Sequence, residues 1–139
     1  HRYSPTSIAL HWLMFLLIVG VYALIELREF YPRGSDPREA MKAWHFTLGL
    51  SVFALVWLRI VVRLFSTAPP KLVEPAWRSF LAKAVHLALY ALMIAMPLAG
   101  WVILSAEGDA IPFWGFNLPA LVPVDEALAG QVEELHELG

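Results

Sequence analysis

The sequence predicts an all-α membrane protein: an up-and-down transmembrane four-helix bundle, with three complete helices and only the start of the fourth in this chain. Three observations carry that expectation. Of 139 residues, 59% are apolar and only 16% charged, and the mean hydropathy is +0.62, outside the range of an average soluble domain. Residues 8–25, 43–58 and 84–106 contain no Asp, Glu, Lys or Arg. At a rise of ~1.5 Å per residue, helices through these runs and their flanks cover the ~30 Å hydrocarbon layer of a bilayer. The closing stretch VEELHELG has the look of the first turns of one more helix.

Each element follows in order. Helix 1 is placed at about 5–27. A secretory signal is the competing reading of this stretch, but its apolar run is too long, and it lacks a basic leader with a small-residue cleavage site. The turn-rich YPRGSDP (31–37) separates it from helix 2, placed at about 40–65. Three prolines in STAPPKLVEPAW (66–77) stop helix 2 before helix 3, placed at about 76–106. The connection from Glu107 to Gln131 mixes Phe113, Trp114 and Phe116 with prolines and acids, the composition of a flap lying at a membrane interface. Helix 4 is placed at about 132–139. The pattern is that of a single domain over residues 1–139. Its start at His1 and its stop at Gly139 suggest a sequence truncated at both ends.

Charge sorts the connections by side. Arg2, Arg59, Arg63, Lys71, Arg78 and Lys83 flank the start of helix 1, the end of helix 2 and the start of helix 3, with Glu74 the only acid among them. The other connections hold Arg28, Arg33, Arg38 and Lys42, but also Glu26, Glu29, Asp36, Glu39 and every acid from Glu107 onward. By the positive-inside rule the N-terminus and residues 66–83 are cytoplasmic, and residues 26–40 and 107–133 face outward. The chain contains no cysteine, so disulfides, thiolate metal sites and covalent c-type haem attachment are excluded.

Ionisable side chains within a spanning segment are costly, and four histidines here lie in or at the ends of such segments. Their depths pair them. His11 lies about 22 Å below the outer end of helix 1, and His86 follows Lys83 by three residues, so both are near the cytoplasmic face. His45 follows Lys42 by three residues and His136 follows the outward connection, so both are near the outer face. Two layers of two imidazoles suit two non-covalent haem groups stacked across a bilayer within a helix bundle. Zinc fits poorly, because no carboxylate or thiolate lies within the bilayer to complete a tetrahedral set. A buried imidazole hydrogen-bonded to a neighbouring helix is the plainer alternative for any one of them.

Helical phase agrees with the haem reading. Gly49 stands one turn below His45 on the same face, where a missing side chain leaves room for a flat macrocycle. Pro97 and Gly100 follow His86 by 11 and 14 positions and share its direction, at the depth of the outer layer. Arg59 and Arg63 follow His45 by 14 and 18 positions, on its face but at the inner layer, where a haem propionate or a quinone carbonyl would suit a guanidinium. Snorkelling to the headgroups is the alternative for both.

The stretches RYSPTSIALHWLMFLLI, MKAWHFTLGL, VRL, AVHLALYALMIAMPLAGW and LHELG together resemble the bacterial cytochrome b561 family, the di-haem, quinone-linked b-type membrane cytochromes. The likeness runs through the whole chain in order and is greatest to the stand-alone superoxide oxidase branch. It implies that His45 and His136 ligate the outer haem b and that His11 ligates the inner one. The family's second inner ligand, further along helix 4, has no counterpart in this sequence. The resemblance gives His86 a quinone or proton-handling role, with ligation of the inner haem as the alternative.

The function expected from this likeness is electron transfer across the bacterial inner membrane, with superoxide oxidised at the outer face and ubiquinone reduced. The partners are then the lipid bilayer, a quinone, and superoxide or a redox partner protein; nucleic acid is not among them. Arg28, Arg33, Arg38 and Lys42 are the only outward cations available to attract an anionic donor, unless they simply pair with neighbouring acids. A membrane-anchor cytochrome b subunit of a hydrogenase or formate dehydrogenase complex is one alternative function. A haem-free proton-coupled membrane protein is another.

Overall fold

A computed structural model describes residues 5–65 and 75–139. Arg2, Lys71 and Glu74, three of the charges that sort the connections by side, lie outside the described residues. The chain forms α1 (Pro5–Leu27), a 3₁₀ turn (Arg28–Phe30), α2 (Asp36–Phe65), α3 (Ala76–Glu107), a two-stranded hairpin of β1 (Pro112–Phe113) and β2 (Phe116–Asn117), and α4 (Glu126–Glu137). Three of the helices, α1 with the turn that follows it, α2 and α3, are long and apolar enough to cross a membrane.

Two boundaries differ from expectation. Helix 2 begins at Asp36 rather than near residue 40, because Pro37 falls in its first turn, where a missing N–H costs no helical hydrogen bond. Helix 4 begins at Glu126 rather than near Val132. Asp125 caps it, its Oδ1 accepting from the Leu128 N–H at 3.1 Å, and Glu126 adds a negative charge where the helix dipole favours one. The expected flap is therefore shorter, and α4 has already made several turns when it reaches His136. Replacing Asp125 with Ala leaves that N–H unpaired, an expected loss of about 1 kcal/mol, measurable as a lower Tm of the purified protein.

Helix α2 is the central element. Of its most apolar stretch 22% is buried, against 6% for α1 and for α3, whose remaining apolar surface has the lipid as its natural solvent. Met14 of α1 packs against Val52 and Val56 of α2, with Leu17, Ile18 and Val21 beside them and Tyr90, Met93 and Ile94 closing from α3. A second cluster, Phe46, Leu50 and Ile111, draws Trp101, Leu104, Phe113 and Leu118 together where α2 and α3 meet the hairpin.

The connection between α3 and α4 is tied down at both ends. Gly108 ends α3 in the left-handed region at φ 78°, and the Asp109 N–H donates to the Leu104 carbonyl at 3.0 Å, a Schellman closure that only glycine enters without strain. The Leu121 N–H donates to Ser105 Oγ at 3.0 Å, and the Asp125 N–H donates to the Ala106 carbonyl at 2.8 Å, so the excursion returns to where it left. At the hairpin tip both Trp114 (φ 49°) and Gly115 (φ 85°) are left-handed, the requirement of a tight two-residue turn. For tryptophan this conformation is strained. Its indole N–H donates to Ser51 Oγ at 2.9 Å and its ring meets Trp44 edge-on at 5.5 Å, contacts that hold the hairpin against α2.

Candidate functional site

The titratable residues singled out in the sequence collect at two ends of the bundle. His45 of α2 and His136 of α4 meet at one end, with ring centroids 6.4 Å apart and ring planes at 88°. The His45 ring is aimed by α1: its Nδ1 lies 2.7 Å from the Val21 carbonyl. A carbonyl can only accept, so Nδ1 carries the proton and Nε2 presents a bare lone pair. His136 rests on α3 at Gly100, where an added Cβ would stand 3.7 Å from its Cε1 and 3.7 Å from the Phe46 ring. Its Nδ1 is buried and has no hydrogen-bond partner among the described residues. Beyond His45, one turn along the same face, a Cβ added at Gly49 would meet nothing within 4 Å.

The opposite end of the bundle holds the remaining residues. His11, Arg59, Arg63 and His86 line one crevice of about 310 Å³ together with Ser7, Ile8 and Trp12. Arg59 Nη1 lies 3.5 Å from His11 Nδ1, a long contact in which the guanidinium can only donate. Arg63 Nη1 donates to the Tyr90 hydroxyl at 3.4 Å, and Arg59 Nε is buried with no hydrogen-bond partner among the described residues. His45 and Arg59 are separated along α2 by about 21 Å of helix axis, so the two groups form separate layers. Gly49, Val52, Val56, Arg59 and Arg63 recur at helical spacing from His45, and the stripe faces the interior, since Val52 and Val56 on it are buried.

Two contributors escaped the sequence reading. The Val21 carbonyl is backbone and leaves no residue-type signal. Tyr90, four positions after His86 on α3, could have been found by the spacing that brings helical side chains onto one face. Of the four cations near the His45 end, three are ion-paired: Arg28 and Arg38 with Glu29, at 3.4 and 3.8 Å, and Lys42 with Glu39 at 3.8 Å.

A multi-pass helical bundle carrying histidines in two separated layers defines a class, the membrane electron-transfer cytochromes of b type. A profile of the family described as prokaryotic cytochrome b561 matches residues 2–139. The chain is 31% identical over 139 residues to cytochrome b561 homolog 1 of Escherichia coli (strain K12), covering 99% of this chain and 78% of that relative. It is 33% identical over 138 residues to the probable superoxide oxidase CybB of Yersinia pestis, covering 99% and 77%. It is 30% identical over 141 residues to cytochrome b561 homolog 2 of the same E. coli strain, covering 97% and 73%. The chain belongs to the prokaryotic cytochrome b561 family.

Membership implies b-type haem, and the His45 end fits it. Two metal–nitrogen bonds of about 2 Å plus two ring half-widths of about 1 Å give a centroid spacing of ~6 Å for imidazoles that share one ion. The observed spacing of 6.4 Å matches. A ligand histidine ordinarily donates its second ring N–H to a carbonyl, as His45 does to Val21; the buried Nδ1 of His136 makes no aligned hydrogen bond among the described residues, although the Met96 backbone lies within reach of its ring. The open side of Gly49 gives a flat ring room that a side chain would fill.

Proposed function

We propose that the chain oxidises superoxide at the outer face of the bacterial inner membrane and reduces ubiquinone, with His45 and His136 as axial ligands of the outer haem b and His11 as a ligand of the inner one. Two superoxide anions each give up one electron and leave as O₂, and one quinone takes the two electrons and two protons to become quinol. When bound, haem b supplies a one-electron iron couple that accepts and passes on single electrons. The observation that carries the reading is the His45–His136 pair, with one ring already in the ligand tautomer. Likeness to a relative named as a probable superoxide oxidase supports the choice of donor.

The residues of the chain divide the remaining work. Val21 fixes the His45 ring so that Nε2 alone is offered to the metal. Gly49 leaves open space beside His45, and Gly100 lets the His136 and Phe46 rings pack close to α3. In the opposite crevice, which we place at the cytoplasmic side with the N-terminus, Arg59 supplies a fixed positive charge for a quinone carbonyl, and His86 passes protons from the aqueous phase.

A reduced-minus-oxidised spectrum of the full-length purified protein is expected to show sharp b-type bands. Superoxide alone should then reduce the protein, and a quinone analogue should reoxidise it. Bands without superoxide-driven reduction in the absence of any partner would identify a membrane-anchor subunit instead. A haem-replete preparation with no b-type bands would point to a haem-free proton-coupled protein.

A further inference from the structure

Four basic residues lie between the end of α1 and the first turns of α2, and the structure treats them differently. Arg38 is spent on architecture: its side chain is 13% exposed, and its Nη1 donates to the carbonyls of Arg28 at 3.4 Å and Tyr31 at 3.2 Å. Its Nη2 stands 3.8 Å from Glu29. Lys42 pairs with Glu39 one helical turn away in a half-exposed contact, which a surface position makes weak. Arg33 is exposed and has no ion pair or hydrogen bond among the described residues.

Arg28 is unlike the other three. Its side chain is 27% exposed, and its Nε is buried with no hydrogen bond among the described residues. The 3.4 Å contact of that Nε with Glu29 Oε1 is an ion pair that lacks hydrogen-bond alignment. A poorly aligned pair with an exposed carboxylate satisfies that buried N–H only in part, which leaves the guanidinium receptive to a better-placed anion. Arg28 also stands seven residues, about two helical turns, beyond Val21, whose carbonyl holds the His45 ring. The 3₁₀ turn that carries it packs on α2, the helix that bears His45. The negative charge facing it is Glu29, whose side chain is 60% exposed and shared with Arg38.

We propose that Arg28 is the anion-binding residue of the His45 end, receiving the oxyanion donor next to the outer site while Arg38 holds the turn that aims it. The assignment rests on superoxide being that donor. No bond is made or broken at Arg28; superoxide gives up one electron toward the quinone and leaves as O₂. Glu29 opposes the anion and limits its residence.

The test uses full-length holo-protein and the rate of reduction by superoxide as a function of ionic strength. Arg28→Gln is expected to lower the second-order rate about tenfold and flatten its salt dependence, while Arg28→Lys keeps most of both. Glu29→Gln should raise the rate, and Arg33→Gln should change it less than twofold. Reduction by a quinol analogue from the other side should be the same in all four variants. Equal superoxide rates in Arg28→Gln and the parent overturn the assignment, as does an equal loss in Arg33→Gln. An oxyanion of the same chemistry could come from the cofactor's own propionate. Haem loss from Arg28→Gln, or a shifted midpoint potential with unchanged salt dependence, would assign the guanidinium to that group and overturn the proposal. A parent that superoxide does not reduce at all removes the reading beneath it, an outcome distinct from a parent that is reduced with Arg28→Gln unaffected.

Discussion

His136→Ala is expected to lose the b-type bands of the His45 end and to lower superoxide-driven quinone reduction by more than ~100-fold, beyond the 10–100-fold that removing a mere supporting partner costs. The expectation follows from the proposed ligation: the two rings stand 6.4 Å apart, and if they share one metal, deleting either leaves a single nitrogen to hold it. On the proposed ligation His45→Ala should match it in size, because two residues holding one metal act as a unit and their losses do not add. The deletion also leaves a void between Gly100 and Phe46, so millimolar imidazole should enter and restore part of the spectrum in His136→Ala. A variant that keeps the full spectrum without added imidazole would remove His136 from the ligand set.

The second large effect comes from adding atoms. Gly49→Phe grows a side chain from a point where an added Cβ meets nothing within 4 Å among the described residues, so helix content and the Met14–Val52–Val56 packing should survive. Haem uptake should not. The expected outcome is a folded, monodisperse protein by circular dichroism and size exclusion whose haem content at the His45 end falls at least tenfold. Gly49→Ala should retain most of it, since one methyl group leaves the space largely open. If Gly49→Phe binds haem normally, the open side of Gly49 faces lipid and the macrocycle lies elsewhere.

Much of this architecture was legible in the sequence because the bilayer imposes a simple rule: a span must be long and nearly free of charge, and residues 8–25, 43–58 and 84–106 are. Depth along a helix is also simple arithmetic at constant rise, which is why His45 and His136 could be paired before any coordinates, and why Arg59 and Arg63 could be placed a layer away from them. What escaped was local chemistry. The cap signal at Asp125–Glu126 stood in plain view, but prolines and aromatics on its N-terminal side gave the whole stretch the composition of a loop. Pro37 closes a turn-rich stretch and so reads as a boundary, but a first-turn proline is compatible with a helix already under way. The hairpin tip, Trp114–Gly115, lacks the Asn-Gly or Asp-Gly pair that announces such turns, and only the indole contact with Ser51 makes the strained tryptophan tenable. Backbone groups such as the Val21 carbonyl become visible only once two helices have been packed.

The hydrogen bond from Asp125 back to Ala106 has one further consequence. The chain between these residues leaves and returns at nearly the same point, so α4 inherits its position from α3 and not from the path in between. Loop-closure entropy changes by only about 0.6 kcal/mol for each doubling of length. Residues added at the exposed face of the hairpin should therefore cost little, while the register that delivers His136 to Gly100 stays fixed.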